Sequence, residues 1–481
     1  MQLLLARAAH RDAVGSVGAS PSRGPALGRE RAVLSLTRFY WTEAQGTPSD
    51  LTVAFAELTT KQSFIGARVL FRFAFLDAAM FRFHFDSKIF CWSLVSLIGL
   101  GCLSTSGDAQ EAESTSVRFA TFNTSLYRRE HGQLMAELKE DGHKRPAQIA
   151  EIIQTTRPDV ILINEFDYDE EGVAARLFAE NYLGKPQGAQ QPIEYPHRYF
   201  ASVNTGVDSG VDLNGDGKKT GTTVDAFGYG THPGQYGMLV LSKFPIDTDN
   251  VRTFQKFLWK DMPDCLWPVV PETGKPYYSD EVKEVFRLSS KSHWDVPIQI
   301  GERTVHFLVS HPTPPVFDQE EDRNGCRNHD EIRLWADYVS PTRNDYIYDD
   351  SGRRGGLEEG AHFVIAGDLN ADPNDGDSND QAARQLTTHE LINNEFAPSS
   401  AAAAVAAKET GRANLNHSGD PAHDTGDFND AKVGNLRIDY VLPSKTLEIV
   451  DSGVFWPATD DPQYPLSKAT DHRLVWIDIQ K

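Results

Sequence analysis

Apolar residues follow two different periods from about residue 115 onward. Residues 117–123 alternate between apolar and polar positions, which predicts a half-buried strand. A helical period follows at Ile149, Ile152 and Ile153, and Pro158 ends it. The same patterns predict strands over residues 159–165, 237–242, 304–311, 363–367, 437–442 and 471–479, and a helix over 329–339. Strands with few helices between them indicate an α/β sandwich rather than a regular βαβ repeat.

Three long segments separate these elements, at residues 184–234, 255–293 and 371–430. The first is rich in Gly, Asp and Thr, the second carries aromatic residues and Pro, and the third includes an alanine-rich run over 401–407. Loops of this length in a compact domain are usually functional walls or mobile surface. We therefore predict one domain over residues 113–481 with elaborated loops.

Polar side chains stand at the ends of the predicted strands, at Asn123, Glu165, His311, Asp368, Asn370, Asp439, Asp471 and His472. Asp368 and Asn370 lie two residues apart, so strand alternation places both side chains on the same side of the backbone. Asp439 interrupts an apolar strand, and because a buried carboxylate needs a partner, His472 is the candidate. Each residue alone is explained as a turn or edge residue. Together they offer oxygen ligands for a hard divalent cation and two histidines that titrate near neutral pH.

With these polar residues in this order along the sequence, the chain resembles the endonuclease/exonuclease/phosphatase superfamily. That metal-dependent fold is shared by pancreatic-type deoxyribonuclease, abasic-site endonucleases, sphingomyelinases and inositol polyphosphate 5-phosphatases. The resemblance rests on Phe122-Asn123, Pro158-Asp-Val-Ile-Leu-Ile-Asn-Glu165, Gly237-Met-Leu-Val-Leu-Ser-Lys-Phe-Pro245, Val309-Ser-His311, Gly367-Asp-Leu-Asn370, Arg437-Ile-Asp-Tyr440 and Thr470-Asp-His472. The ordered set is specific for the superfamily and weak on the substrate.

The resemblance implies an α/β fold, a four-layer sandwich of two packed mixed β-sheets flanked by helices. It implies Mg²⁺ or Mn²⁺ held chiefly by Glu165, with Asn123 and Asp471 nearby. Whether one or two metal ions act stays open.

The resemblance also implies roles for the remaining polar residues. Asp368 would orient or deprotonate the attacking water, and Asn370 would donate a hydrogen bond to the phosphate. His472, paired with Asp439, would act as a base or as a cation that stabilises the phosphate. His311 would donate a proton to the leaving oxygen or bind phosphate. Such a set suits in-line attack of water on phosphorus.

The chain departs from the superfamily pattern at three places. Asn164 stands before Glu165 where Gln is frequent, and Thr470 replaces a Ser in the closing motif. Arg473-Leu474 follows His472, where Pro usually stands two residues beyond the His. These changes leave the catalytic groups in place and bear on the shape of the phosphate pocket.

A possible calcium loop lies in the first long segment. Asp212, Asn214 and Asp216 place oxygen ligands at alternate positions, and Gly217 stands at the sixth. The twelfth position is Thr223 rather than Glu, so a complete EF-hand is absent. Structural Ca²⁺ and a simple Asp/Gly-rich turn are equal alternatives.

Basic residues shortly after His311 offer a second phosphate contact. Arg323 and Arg327 are candidates to clamp substrate phosphates, with Asn328 as a lesser one. The alternative is that they pair with neighbouring acidic residues such as Glu320 and Glu321.

Residues 80–112 have the pattern of an export signal. A weakly basic lead precedes an apolar run shorter than the ~20 residues of a membrane span, and Gly107 and Ala109 form a candidate cleavage site. Because a signal peptide begins a protein, we expect residues 1–79 to be a non-native or disordered extension. Lipid attachment at Cys102 is the less favoured alternative. We predict a secreted or cell-envelope protein without an integral membrane domain.

Cys265 and Cys326 are the two cysteines of the globular part. Their spacing matches no zinc site, and export would permit a disulfide between them.

The net charge of −21 disfavours passive adhesion to nucleic acid or anionic lipid. It leaves a nuclease possible, because a local cationic site can capture phosphate on an acidic body. The leading hypothesis is an exported, monomeric, Mg²⁺- or Mn²⁺-dependent hydrolase of phosphate esters, either a nuclease or a related phosphodiesterase. The alternatives are a phosphomonoesterase acting on small or inositol-like phosphates, and a catalytically silent binding module of the same fold.

Overall fold

A computed structural model describes residues 115–481 of the chain. The predictions for residues 1–79 and 80–112, including the export signal and Cys102, lie outside the described residues. Within residues 115–481 no helix is long and apolar enough to cross a membrane.

Strands make up most of the regular structure in this range. In chain order they are Ser116–Leu126 (β1), Val160–Phe166 (β2), His197–Tyr199 (β3), Met238–Ser242 (β4), Arg252–Thr253 (β5), Val269–Val270 (β6), Lys275–Pro276 (β7), His293–Ile300 (β8), Arg303–Ser310 (β9), His362–Asp368 (β10), Gly426–Asp427 (β11), Asn435–Leu436 (β12), Asp439–Pro443 (β13), Ile449–Val454 (β14) and Val475–Gln480 (β15).

The α-helices are Gln133–Leu138 (α1), Lys144–Thr156 (α2), Val173–Phe178 (α3), Asp280–Val285 (α4), Arg323–Tyr338 (α5), Arg384–Thr387 (α6) and Ala401–Thr410 (α7). A π-helical turn at Ala179–Leu183 extends α3. Short 3₁₀ turns cover Thr223–Asp225, Thr248–Asn250, Trp259–Asp261, Asn379–Gln381, Arg412–Asn416, Pro421–His423 and Tyr464–Lys468.

Two mixed sheets form the centre of the fold. The six-stranded sheet has the order β14-β15-β1-β2-β4-β3, and the five-stranded sheet has the order β13-β10-β9-β8-β5. Each contains one parallel pair, β1 with β2 and β9 with β10, among antiparallel neighbours. β11 with β12 and β6 with β7 form separate two-stranded ribbons.

The sheets pack face to face with helices outside. Phe119 of β1 meets Phe307 of β9 edge-on, with ring centroids 5.4 Å apart, inside a core shared by both sheets. Ile149 and Ile153 of α2 pack with the outer face of the first sheet. Trp335 of α5 packs with the outer face of the second sheet. Helix, sheet, sheet and helix make four layers, so the predicted fold class is confirmed.

Local sequence explains the boundaries of the elements that carry the site. β2 is apolar on both faces because the core lies on one side and α2 on the other. α2 ends at Arg157, which adopts a left-handed backbone conformation (φ 51°), and Pro158 does not continue the helix.

Three features differ from the sequence analysis. α5 begins at Arg323 rather than at residue 329, and β15 begins only at Val475, so the Asp471-His472 pair precedes its strand. β8 was not predicted, because Pro297 and the polar residues beside it interrupt the apolar pattern. Its place between β9 and β5 buries those polar residues.

The first two long segments pack onto α5 rather than standing apart. Phe227, Phe257 and Trp259 share one buried cluster with Ile332 of α5. The indole nitrogen of Trp259 donates to Asp330 on α5 at 2.6 Å. These contacts make a wall on the five-stranded side of the fold.

Candidate active site

Strand ends from both sheets meet at one place. In the six-stranded sheet, β1 and β2 pair with Asn123 opposite Asn164, which brings Asn123 and Glu165 to the same edge. In the five-stranded sheet, Asp368 ends β10 and Asp439 begins β13, and the two residues are register partners. Asn123 donates from Nδ2 to Asp368 Oδ2 at 2.9 Å. A single hydrogen bond therefore joins the polar ends of the two sheets.

His472 lies between two buried carboxylates. Its Nδ1 is 3.0 Å from Asp439 Oδ2, and its Nε2 is 3.7 Å from Asp368 Oδ2. Burial lowers the pKa of His472, but the charges of Asp439 and Asp368 outweigh burial and raise this pKa to about 10. The imidazole is therefore charged at neutral pH. Burial raises the pKa of Asp439 to about 6 against the attraction of His472.

Asp368 is the centre of the polar cluster and is only 1% exposed. His311 Nε2 lies 3.4 Å from Asp368 Oδ2, the same oxygen that accepts from Asn123. Burial raises the pKa of Asp368, but the charge of His472 and the hydrogen bond from His311 outweigh it and hold this pKa well below its usual range. Asp368 is thus an ionised carboxylate held by donors on three sides.

His311 is buried and is neutral at pH 7. Burial and the positive charge of Lys291 lower its pKa to about 4, against the attraction of Asp368. With Nε2 directed to Asp368, the Nδ1 atom is buried and has no hydrogen-bond partner among the described residues. One ring nitrogen therefore remains available.

Asn370 sits at the rim next to this cluster. Its backbone is left-handed (φ 53°), a conformation that Asn tolerates better than most residues, and its N–H donates to Asp368 Oδ1 at 2.9 Å. The side-chain Nδ2 donates to the Pro312 carbonyl at 3.2 Å. Asn370 lies beyond β10 in a left-handed turn, so this turn rather than strand alternation brings its amide group beside Asp368.

Glu165 fits a divalent cation better than any other carboxylate of the cluster. Burial raises its pKa to about 7, with His472 opposing and Asp368 reinforcing the shift. Carboxylates that raise each other's pKa leave excess negative charge, which a cation relieves. A side-chain hydrogen bond with Asn123 lowers the pKa of Glu165. Burial, together with the charges of Glu165 and the exposed Asp471, raises the pKa of Tyr127, so both carboxylates act on the same ring.

A second grouping, Asp368, Asp439 and His472, has ligand atoms within 4.8 Å of one another. Its imidazole is protonated and bonded to Asp439, and a protonated nitrogen is no metal ligand. The chemistry of the donors therefore favours the Glu165 edge for Mg²⁺ or Mn²⁺, with Asn123 and Asp471 as its neighbours.

The proposed arginine clamp is not formed by Arg327 and Asn328. Arg327 is 6% exposed and donates to the carbonyls of Leu288, Phe227 and Arg287. Asn328 is fully buried and donates to the carbonyls of Thr313 and Leu369. Both side chains face inward from α5, so they hold the loops around the site instead of contacting substrate.

Arg323 follows the alternative stated from the sequence. Its guanidinium pairs with Glu321 and donates to the Phe317 carbonyl at 3.3 Å. It lies at the start of α5 and is half-buried, and the side chain of its partner Glu321 is 9% exposed.

The Asp212 loop satisfies its own carboxylates. Asp212 accepts hydrogen bonds from the backbone N–H groups of Gly215 at 2.8 Å and Gly217 at 2.7 Å, and Asp216 accepts from that of Lys218 at 2.9 Å. This is the geometry of an Asp/Gly turn, and calcium binding there stays a prediction.

Cys265 and Cys326 are half-buried free thiols, so the structure does not contain the predicted disulfide. Burial raises the pKa of the Cys326 thiol to about 12. The Cys326 Sγ atom instead lies 3.6 Å from the Asn379 side-chain nitrogen.

The sequence analysis did not predict Thr425 and Arg473, two buried residues that support the segments around Asp439 and His472. Thr425, in the third long segment, accepts hydrogen bonds from the Ile438 and Asp439 backbone N–H groups at 3.0 and 2.9 Å. Arg473 is 2% exposed and binds Asp427 at 2.7 Å, which fastens this segment over His472. In the sequence, Arg473 could be recognised only as a departure from the closing motif of the superfamily.

Two histidines flank the buried, ionised Asp368, and the neighbouring carboxylate edge at Glu165 suits a divalent cation. Such a grouping fits the metal-assisted hydrolysis of a phosphoric ester. The model of the Endonuclease/Exonuclease/phosphatase family matches residues 120–472, and the chain belongs to this family. Its members are metal-dependent phosphoric ester hydrolases, so the enzyme class predicted from the sequence is confirmed. A search of curated proteins finds no match.

Three solved structures with a similar fold share little sequence with this chain. An endonuclease/exonuclease/phosphatase from Beutenbergia cavernae DSM 12333 is 17% identical, with a TM-score of 0.42 over 76% of this chain and 72% of that one. TDP2 from Caenorhabditis elegans is 15% identical, with a TM-score of 0.37 over 76% and 74%. A beta toxin mutant from Staphylococcus aureus with bound magnesium ions is 14% identical, with a TM-score of 0.38 over 76% and 100%.

Proposed function

We propose that this protein is a divalent-metal-dependent phosphodiesterase, a nuclease or a related enzyme, that hydrolyses its substrate by in-line attack of water on phosphorus. The observation that carries the proposal is the position of Asp368. Its ionised carboxylate is held by Asn123, His311 and His472 at the point where both sheets end. A carboxylate fixed in this way accepts a hydrogen bond from a water molecule and orients it for attack on phosphorus.

The other polar groups around Asp368 have separate roles in the proposed mechanism. His472, charged at neutral pH because its pKa is about 10, stabilises negative charge on the phosphoryl oxygens rather than acting as a base. Asp439 keeps that imidazole oriented through the 3.0 Å contact with Nδ1. The Asn370 amide donates to a phosphate oxygen. A divalent cation held at Glu165, with Asn123 and Asp471, supplies further positive charge when bound.

His311 favours a diester over a monoester. His311 matches the histidine of the nuclease and sphingomyelinase branch of the family, and beside Asp368 it can donate a proton to the alkoxide that leaves when a diester is hydrolysed. Its low pKa in the free protein rises once an anionic phosphate lies next to it, because a negative charge favours imidazolium.

Hydrolysis assays test this proposal directly. Purified protein is incubated with plasmid DNA, RNA, sphingomyelin, bis-p-nitrophenyl phosphate and p-nitrophenyl phosphate, with Mg²⁺, with Mn²⁺ and with EDTA. We expect metal-dependent cleavage of diesters. Turnover of the monoester alone would replace this function by a phosphomonoesterase, and no turnover of any substrate would favour a binding module.

We further propose that the protein is exported, on the basis of the sequence pattern over residues 80–112. N-terminal sequencing of secreted protein is the test. A mature chain that begins near residue 113 supports export, and one that retains residue 1 contradicts it.

A further inference from the structure

Lys291 is the one lysine that is buried among residues 115–481, with 7% of its surface exposed. It lies in the turn before β8. The ammonium group has three N–H donors, and its hydrogen bond is a long one, 3.4 Å to the Pro312 carbonyl. No ion pair joins Lys291 to a carboxylate of the described residues. Burial lowers the pKa of Lys291, and Glu331, Glu165 and Asp368 raise it only from beyond ion-pair distance. A buried charge without a close counter-ion is costly, which indicates that an anion completes this arrangement.

The ammonium group faces the catalytic cluster. The Pro312 carbonyl that accepts from Lys291 also accepts from Asn370 Nδ2 at 3.2 Å, so both nitrogen atoms lie within 3.4 Å of one oxygen. Pro312 follows His311 directly in the chain. The charge of Lys291 also acts on the pKa values of Glu165 and His311, which places it within electrostatic reach of both.

The surrounding backbone is fixed by α5. Glu331 is fully buried, accepts from the Ser290 N–H at 2.6 Å with one oxygen and from the Thr313 N–H at 2.6 Å with the other. These two residues flank Lys291 and Pro312. The Glu331 carboxylate therefore fixes the position of the turn that carries Lys291 relative to the turn that carries Pro312.

We propose that Lys291 and Asn370 together form an anion subsite that binds a non-bridging oxygen of the scissile phosphate. This inference rests on the proposed function, since it names the residue that holds the phosphate against Asp368. Substrate binding replaces the long contact with Pro312 by a charge-assisted hydrogen bond to phosphate. A lysine suits this place because its compact charge turns toward the anion without the planar geometry that arginine requires.

Lys291→Met and Lys291→Gln test the subsite, and both are compared with Lys291→Arg. Lys291→Gln removes the charge and keeps an N–H donor on a side chain one atom shorter. Lys243→Met is the matched control, because Lys243 binds Asp159 at the opposite end of the sheet from Glu165. The probes are bis-p-nitrophenyl phosphate as substrate and inorganic phosphate as product inhibitor.

We expect both neutral variants to lose about 10- to 100-fold in kcat/KM and to bind inorganic phosphate at least about tenfold more weakly. Lys291→Arg should retain part of both, and Lys243→Met should match the wild type. A lysine that only supports the fold would change the melting temperature and leave phosphate binding by the folded variant unchanged. That result overturns the proposal.

Two measurements keep the question decidable if the variants fail to fold or the enzyme shows no turnover. Calorimetric titration of inorganic phosphate compares wild type and variants without any hydrolysis, so loss of the proposed function and loss of the subsite give different results. A crystal of the wild-type protein soaked with phosphate should place a phosphate oxygen within hydrogen-bond distance of Lys291 Nζ. Phosphate bound in the site but away from Nζ contradicts the proposal.

Discussion

Asp368 and Asp439 are register partners on neighbouring antiparallel strands, and each is 1% exposed. Two buried carboxylates side by side repel each other, and the imidazolium of His472 lies within 3.7 Å of both. The shared cation lets Asp368 stay ionised while Asp439 takes the raised pKa. In the proposed mechanism, two chemically identical side chains thus have different roles: Asp368 orients the attacking water, and Asp439 orients His472.

The first prediction concerns Asp368. Asp368→Asn keeps the shape of the side chain but removes the ionised group that orients the attacking water, so kcat/KM should fall by about 10³-fold or more. Asp451→Asn, on the exposed part of β14, is the control and should change the rate little. A loss of tenfold or less at Asp368 would remove it from the mechanism.

The second prediction concerns the pH dependence of stability. The pKa of His472 is about 10 in the folded protein, above its value of about 6.5 in an unfolded chain. Protonated His472 therefore stabilises the fold fully below about pH 6.5, and this contribution disappears as pH rises through about 10. In EDTA, the wild type should exceed His472→Asn in unfolding free energy at pH 6 by at least about 1.4 kcal/mol, the equivalent of one pKa unit.

Chemical denaturation at several pH values between 6 and 10.5 measures this difference. The gap between wild type and His472→Asn should close toward the alkaline end. His362→Asn, which removes a surface histidine bonded to Thr446, is the control and should show no such trend. A gap that stays constant with pH would contradict the charged state of His472.

The third prediction concerns the cation. EDTA should abolish hydrolysis, and added Mg²⁺ or Mn²⁺ should restore it. Glu165→Gln removes the negative charge that best suits the ion, so the Mg²⁺ concentration for half-maximal activity should rise by about 10- to 100-fold. Calorimetric titration of Mg²⁺ checks the same point without substrate. Equal Mg²⁺ affinity in the wild type and the variant would place the ion elsewhere.

The fourth prediction separates the two arginines of α5. Arg327→Met leaves the carbonyls of Leu288, Phe227 and Arg287 without their donor, and should lower the unfolding free energy by roughly 2–4 kcal/mol. Arg323→Ala removes a half-buried pair with Glu321 and should cost less, about 1–2 kcal/mol. Denaturant titration measures both. A large rise in KM for Arg323→Ala with unchanged stability would restore that residue as a substrate contact.

The fifth prediction concerns the cysteines. Denatured, unreduced protein treated with an alkylating reagent should carry label on both Cys265 and Cys326, because both are free thiols. Mass spectrometry of the labelled peptides reads the result. A peptide pair joined by a disulfide would contradict the free-thiol state of both cysteines.

The strand-end residues could be found from the sequence because their chemistry is local. Asp368 and Asn370 lie in one short motif, and the apolar run before them shows that a strand delivers them. Arg327 was misjudged for a matching reason, since a sequence shows a charge but not the carbonyls that surround it. Lys291 and Glu331 gave no pattern at all. Their roles depend on β8 and α5 meeting across segments distant in the chain, and tertiary packing alone brings them together.

In the proposed mechanism, the hydrogen bond between Asn123 and Asp368 makes catalysis depend on the contact between the two sheets rather than on either sheet alone. β1 and β2 contribute Asn123 and Glu165, while the opposing sheet contributes Asp368 and Asp439. Consider a state in which both sheets stay intact but shift against each other by the width of one side chain. Its strand content, and the cooperative unfolding of each sheet, would be unchanged. It would nevertheless be inert, so turnover measures the docking of the two layers more sensitively than circular dichroism does.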